Sequence, residues 1–155
     1  PLSLTRALSL GMELGIPGPR AREVFGSILD YLQHAPRALP GPVAIRQTLQ
    51  SAATLSMARF APTTTFEFAC LGVAGTEQLL TGLLDRLEQQ TIPFTIHLGM
   101  LHGKQADGTS WLTRARFERM FGVAAVNAWR AARAVTAPAG NLFSTNVTRA
   151  WGLTA

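Results

Sequence analysis

Two segments of the chain alternate apolar and polar residues with a period of two, and they span residues 63–71 and 94–101. Their apolar positions are Phe66, Phe68 and Cys70 in the first segment, and Phe94, Ile96, Leu98 and Met100 in the second. The intervening positions are Thr65, Glu67 and Ala69, and then Thr95, His97 and Gly99. Because successive side chains of a β-strand point to opposite faces, each segment is predicted to be a strand with one apolar and one polar face.

Apolar residues recur at helical spacing in three other segments. The clearest helix is introduced by Gly75 and Thr76 and ends before Pro93, and its leucines form one stripe that faces a core. That stripe consists of Leu79, Leu80, Leu83, Leu84 and Leu87. An earlier helix is predicted to begin at Pro19, where the missing N–H costs nothing, and to end before Pro36. Its apolar positions are Val24, Ile28, Tyr31 and Leu32.

Residues 113–135 predict a third helical segment, with a break at Gly122. The positions expected to face inward are Phe117, Met120, Phe121, Val126 and Trp129. The positions expected to form a solvated outer face are Arg116, Arg119, Arg130 and Arg133.

The remaining segments give weaker patterns. Residues 2–16 are apolar without a clean period and are interpreted as a packed or partly mobile lead-in, and residues 36–42 are a proline-rich connector. Residues 43–60 fit a helix at first and a strand towards their end. Residues 138–155 form a turn-rich tail that ends in Trp151 and Leu153, two apolar side chains that we expect to need a partner.

These elements predict a single α+β domain. Its sheet is expected to be small, antiparallel or mixed, and covered by helices on one face. The order of strand, helix and strand allows a right-handed crossover between parallel strands or an antiparallel split arrangement. Residues 1–43 would form a helical lead-in and connector, residues 44–112 the sheet with the leucine-rich helix, and residues 113–155 the C-terminal helices and tail.

Composition narrows the classes of partner. The net charge is +5, but all basic residues except Lys104 are arginines scattered along the chain. No recognition motif accompanies them, which argues against a nucleic-acid partner. Cys70 is the only cysteine, so the chain can form neither an intrachain disulfide nor a thiolate metal cluster. With no signal peptide and no apolar run long enough to span a membrane, we expect a cytoplasmic protein.

The period of two also predicts a cluster of reactive side chains. If both apolar strand faces pack on the leucine-rich helix, Glu67, Thr95 and His97 lie together on the opposite face. A carboxylate, a hydroxyl and an imidazole could orient a substrate hydroxyl and accept its proton. The alternative is an ordinary solvated sheet face. No metal site is predicted, because His97 and His102 lack the closely spaced further ligands that zinc sites show.

A resemblance to a known family favours the first interpretation. The sequences PTTTFEF at residues 62–68 and IPFTIHLG at residues 92–99, with the leucine-rich helix between them, resemble the cap domain of FAD-linked oxidases of the vanillyl-alcohol-oxidase type. WRAAR at residues 129–133 and PAGNLFSTN at residues 138–146 resemble the closing helix and terminal stretch of that family. Its aldonolactone, alditol and second-class cholesterol oxidases are the members that the chain resembles.

The resemblance implies a set of roles. Glu67 and His97 would be catalytic, His97 and Asn146 would contact FAD, and Thr95, Leu98 and Met100 would bind the substrate. The reaction would be hydride transfer from a small molecule to the flavin. A binding or assembly module that keeps the cap fold without catalysis remains the alternative.

Two departures from the family pattern shape this expectation. The sugar oxidases carry a lysine where this chain has Met100, and together with Leu98 this suggests a more apolar substrate. The N-terminal FAD-binding region of the family has no counterpart in these 155 residues, so an N-terminal FAD-binding segment or chain is the expected partner.

Overall fold

A computed structural model describes residues 9–100, 103, 108–137 and 144–154. Its centre is a four-stranded antiparallel sheet. The strands are β1 (Ser9–Pro17), β2 (Val43–Thr48), β3 (Thr63–Leu71) and β4 (Thr95–Ile96). Their order across the sheet is β2-β3-β1-β4, so β1 and β3 are the central strands.

Five α-helices accompany the sheet in the described part of the chain. They are α1 (Ala21–His34), α2 (Thr76–Gln89), α3 (Arg114–Phe121), α4 (Val123–Thr136) and α5 (Asn146–Ala150). A short 3-10 helix, Gly18–Arg20, leads from β1 into α1. No helix in the described residues is long and apolar enough to cross a membrane.

The first six elements follow the order β1, α1, β2, β3, α2, β4. With strand order β2-β3-β1-β4, this is the split βαβ arrangement of ferredoxin-like folds. Strands β3 and β4 run parallel to each other, since both are antiparallel to β1, which lies between them. The predicted α+β class with helices over a small sheet is confirmed. The structure combines the two arrangements considered, because β3 and β4 are parallel but are separated by β1 in an antiparallel sheet.

The core lies between one face of the sheet and the helices. Strand residues at alternate positions supply one side of it, and four leucines of the α2 stripe, Leu80, Leu83, Leu84 and Leu87, supply much of the other. The buried apolar strand residues are Met12, Leu14 and Ile16 of β1, Phe66, Phe68 and Cys70 of β3, and Ile96 of β4. Helix α3 adds Phe117, whose ring stacks on Trp151 at a centroid distance of 5.9 Å.

Several predicted elements match the structure closely. Strand β3 has the predicted bounds, and helix α1 ends before Pro36 as expected. The predicted break between α3 and α4 falls at Gly122, whose φ of 88° suits glycine.

The segments before Pro17 and after Pro42 differ from the predictions. The predicted lead-in contains β1, a central strand of the sheet. Residues 43–60 were expected to form a helix and then a strand. Instead β2 comes first, and an irregular segment, residues 49–62, follows it. The domain's sheet therefore draws on residues from the first 43 as well as on residues 44–112.

The C-terminal part also corrects the sequence interpretation. Trp151 and Leu153 are 6% and 4% exposed and belong to this chain's own core, so they do not need a partner to be buried. Arg116 was expected on a solvated face, but its guanidinium lies over the Trp111 ring at 4.3 Å and pairs with Glu88. The strand predicted at residues 94–101 is shorter in the structure, where β4 spans only Thr95–Ile96, because a turn begins at His97.

Candidate functional site on the outer face of the sheet

Strand alternation divides the sheet into a core face and an outer face. The outer face carries polar and small side chains from all four strands. They are Gly11, Glu13 and Gly15 of β1, Ala44 and Arg46 of β2, Thr65, Glu67 and Ala69 of β3, and Thr95 of β4, with His97 following it. Glu67, Thr95 and His97 therefore occupy positions on the same face of the sheet, as the period of two predicts.

The segment 49–62 covers one end of this face. The Thr95 hydroxyl donates to the Met57 carbonyl at 2.7 Å and is fully buried. Gly15, beside Thr95 in the sheet, permits this approach, because a Cβ there would lie 2.6 Å from the Met57 carbonyl oxygen. Arg59 ties the same segment to the end of α3 by donating to the Met120 carbonyl. This end of the face is closed.

A three-residue ionic cluster marks the limit of the closed end. Glu13 of β1 lies directly opposite Glu67 of β3, and Arg46 of β2 donates to both carboxylates, at 3.2 Å to Glu13 Oε1. The Glu13 side chain is 10% exposed and that of Arg46 is 54% exposed. The hydrogen bond to Glu13 and the nearby charge of Glu67 raise the pKa of Arg46 above its ordinary value. Arg46 thus offsets the repulsion between two like charges.

Beyond the cluster the outer face opens into a groove of about 830 Å³. Its floor is formed by small residues of β1 and β3, and its walls by the 40–42 connector and the turn after β4. The lining residues are Ser9, Leu10, Gly11, Pro40, Gly41, Pro42, Glu67, Ala69, Cys70, Leu71, Gly99 and Met100. The volume falls within the range of small-molecule sites.

Glycine is needed where the connector meets β3. A Cβ on Gly41 would lie 2.0 Å from the Ala69 carbonyl oxygen, so any larger residue would push the connector away from the sheet. Neighbouring backbone bonds hold this contact, with Ala69 N–H donating to the Pro42 carbonyl at 3.2 Å. The wall of the groove is therefore fixed by main-chain packing.

His97 sits at the start of the turn that ends β4. Its N–H donates to the Glu13 carbonyl at 2.9 Å, which keeps it in register with Glu13, and its side chain is exposed. Its Nδ1 accepts a hydrogen bond from the Gly99 N–H at 3.1 Å. A backbone N–H can only donate, so the neutral ring carries its proton on Nε2. The Nε2–H group is thus available to donate a hydrogen bond to a ligand.

Register places Glu67, Glu13 and His97 in one row across β3, β1 and the end of β4. Two strand spacings separate the first from the last, which is about 10 Å. The two predicted catalytic residues therefore share a face, with Glu13 between them. A molecule spanning this row could contact both Glu67 and His97.

The other predicted site residues lie in different surroundings. Met100 lines the groove, and its Sδ lies 3.6 Å from the position a Cβ on Gly11 would take. Leu98 is partly buried against the core, and Thr95 is covered by Met57. Neither of these two side chains lines the groove.

Asn146 begins the short helix α5 and is exposed. It is not among the described residues that line the groove. Residues 138–143, which carry most of the PAGNLFSTN stretch, lie outside the described residues.

Sequence reasoning missed Glu13 and Arg46. Glu13 could have been found, because Leu10, Met12, Leu14 and Ile16 alternate with it and with two glycines. Arg46 stands in a strand whose other side chains are mostly exposed, and only its register with β3 brings it to Glu67.

No group of three or more metal-ligating side chains occurs among the described residues, so the ionic cluster is a carboxylate–guanidinium site. A scan against protein-family models and a search of curated proteins gave no match to this sequence.

Proposed function

We propose that this chain supplies the substrate-facing wall of an FAD-dependent oxidoreductase. The reaction would oxidise an alcohol, or a related activated C–H group, of a small and fairly apolar molecule. The observation that carries the proposal is the position of Glu67, paired with Arg46, at the side of an open groove whose floor consists of Gly11 and Ala69. The resemblance of residues 62–68 and 92–99 to flavoprotein cap domains supports the same assignment.

The groove suits one part of FAD and not another. Small and apolar residues such as Gly11, Ala69 and Met100 leave room for a planar ring. The described lining contains no arginine or lysine, and the only charged side chain in it is Glu67, which would repel a pyrophosphate. The flavin ring therefore fits here, whereas the phosphates would be held by an N-terminal FAD-binding segment or chain. When bound, the flavin would supply the hydride acceptor.

The chain's own residues would position the substrate and manage its proton. Arg46 donates to the Glu67 carboxylate and holds it beside the groove, where it can accept a hydrogen bond or a proton from the hydroxyl of a substrate. His97 presents Nε2 at the other end of the row and would contact the polar edge of the flavin or the substrate. Met100 would pack against the apolar part of the substrate.

A non-catalytic binding module is the second candidate. It is favoured by the Arg46 contacts, which already engage both Glu67 and Glu13 within the chain. In that case the cluster would stabilise the sheet, and the groove would bind a molecule without transforming it.

FAD titration tests the proposal. The chain alone should quench flavin fluorescence weakly, because the described lining of the groove offers no cation to the phosphates, and addition of an N-terminal FAD-binding segment should give stoichiometric binding. Tight binding by the isolated chain, or none by the reconstituted pair, would contradict the proposal.

Two substitutions separate the candidates in the reconstituted protein. Glu67→Gln should slow flavin reduction by substrate by about 10²-fold or more if Glu67 accepts the proton. Glu23→Gln is the matched control, since Glu23 also pairs with an arginine, Arg20, but lies on the surface of α1. Equal reduction rates for both variants and the unchanged protein would show that Glu67 does not accept the proton, whereas no flavin reduction in any of the three would favour the binding module.

A further inference from the structure

Strand β2 forms one edge of the sheet and has no strand beyond it in the described part of the chain. Ala69 N–H donates to the Pro42 carbonyl, and Leu71 N–H donates to the Pro40 carbonyl. In an antiparallel pair the hydrogen-bonded positions alternate, so residues 44 and 46 also point their backbone groups at β3. The N–H and C=O groups of Val43, Ile45 and Gln47 therefore point outwards along the free edge.

An apolar surface accompanies this edge. Ile45 lies opposite Phe66 on the core face of the sheet, yet it is 51% exposed. The Phe25 ring of α1 stacks on Phe66 at 6.3 Å and is itself 39% exposed. Leu29 follows one turn later on α1 and is 43% exposed. The core is thus incompletely covered along β2, beside an edge that can still accept hydrogen bonds.

We infer that a second copy of this chain covers the edge, with two β2 strands pairing antiparallel about a two-fold axis at Ile45. In this register Ile45 faces Ile45 of the second copy, and Val43 faces Gln47, so all three outward-pointing positions form hydrogen-bonded pairs. The two exposed apolar surfaces meet on the same side of the joined sheet. A two-fold contact of this kind is self-complementary.

Neighbouring registers are less favourable. An axis at Arg46 would set two arginines directly opposite each other, which destabilises a strand pair. An axis at Ala44 would place Gln47 opposite Gly41. Gly41 lies before the start of β2, so Gln47 would have no partner within the strand. With the axis at Ile45, Arg46 instead lies opposite Ala44 of the second copy. Ala44 is paired with Glu67 within each chain, so the row that holds Arg46 of one copy also holds Glu67 of the other, with opposite charge.

Molar mass in solution tests this contact. Sedimentation equilibrium of the 155-residue chain should give twice the chain mass of 16.6 kDa. Ile45→Lys places a charge at the axis and should raise the dimer dissociation constant at least about tenfold. Leu49→Lys is the matched control, because Leu49 is 87% exposed but lies after the strand. A monomer at all concentrations, or equal effects of the two variants, would overturn the inference.

A cross-link tests the register itself. In Ile45→Cys the two introduced thiols would face each other, with Cα atoms about 5.5 Å apart, a separation that a disulfide spans. Mild oxidation should then yield a covalent dimer, whereas Leu49→Cys should not. The native Cys70 is 3% exposed and would not compete. Equal cross-linking at positions 45 and 49 would contradict the proposed axis.

Discussion

Glu13 lies directly opposite Glu67 across the β1–β3 pair. Two carboxylates in such positions repel each other, and burial of Glu13 increases the cost of its charge. The Arg46 guanidinium, which donates to both, makes the arrangement stable. Because the cluster borders both the closed end of the outer face and the groove, it links the stability of the sheet to the candidate site.

Removal of Arg46 should therefore destabilise the fold through the two glutamates. We expect Arg46→Ala to lower the free energy of unfolding, since it strips charged hydrogen bonds from the mostly buried Glu13 carboxylate. Urea denaturation at neutral pH measures the change. Adding Glu13→Gln to Arg46→Ala should recover much of the loss, because it removes one of the two like charges. A further loss in the double variant would show that repulsion is not the cause.

The Glu88 cluster should make stability depend on pH. Burial favours the neutral acid, but hydrogen bonds from Arg116 and Arg119 and their charges outweigh it, so the pKa of Glu88 lies below its ordinary value. A carboxylate whose pKa is lowered in the folded state stabilises the protein at pH values above its unfolded-state pKa. This stabilisation is lost as the pH falls through its folded-state pKa. The stabilisation is thus present at neutral pH and disappears in acid.

Glu88→Gln tests that dependence. At pH 7 the variant should unfold with a free energy lower by about 1 kcal/mol, because the ion pairs with Arg116 and Arg119 are lost. At a pH below the folded-state pKa of Glu88, the variant and the unchanged protein should have the same stability. Thermal unfolding at several pH values provides the measurement, and a difference that is constant with pH would contradict the assignment.

Elements with an uninterrupted pattern of apolar residues could be predicted from the sequence. In β3 and α2 the apolar positions are filled by large residues, so both elements and their core faces were predicted correctly. In β1 the same alternation exists, but Gly11 and Gly15 hide its polar half. At Gly15 a Cβ would lie 2.6 Å from the Met57 carbonyl oxygen, so a contact with a distant segment requires the glycine, and the local pattern does not reveal it.

Strand β2 was predicted wrongly for a related reason. It is an edge strand, and five of its six residues are exposed, so no buried face imposes alternation on its sequence. The spacing of Ile45, Leu49 and Ala53 then favoured a helix. The same difference applies to the candidate site. Glu67 and His97 lie in segments with a clear alternating pattern, whereas the position of Arg46 beside Glu67 follows only from the β2–β3 register.

The leucine stripe offers a direct test of the core. Leu83 of α2 is fully buried, so Leu83→Ala should reduce the free energy of unfolding by roughly 2–5 kcal/mol, from lost burial and the cavity left behind. Leu49→Ala, at a position 87% exposed, should change it little. Chemical denaturation of both variants makes the comparison, and similar losses would show that α2 is not the centre of the core.

The end of α2 carries a residue whose replacement should stabilise the protein. Ile92 N–H donates to the Leu87 carbonyl and Thr91 N–H to that of Glu88, the two bonds of a Schellman cap. Thr91 occupies the position that glycine usually takes, with φ of 53°. A left-handed conformation costs a non-glycine residue about 1–2 kcal/mol.

Thr91→Gly should therefore raise the free energy of unfolding by about 0.5–1 kcal/mol, after allowing for the greater freedom of glycine in the unfolded chain. Thr91→Ala is the matched control. It removes the same hydroxyl, which donates to the Gln90 carbonyl at 2.7 Å, but keeps the Cβ that makes the conformation costly. Urea denaturation should show Thr91→Gly to be more stable than both Thr91→Ala and the unchanged protein. If glycine and alanine gave equal stability, the strain at Thr91 would not be a backbone effect, and the hydroxyl would have to account for the choice of threonine.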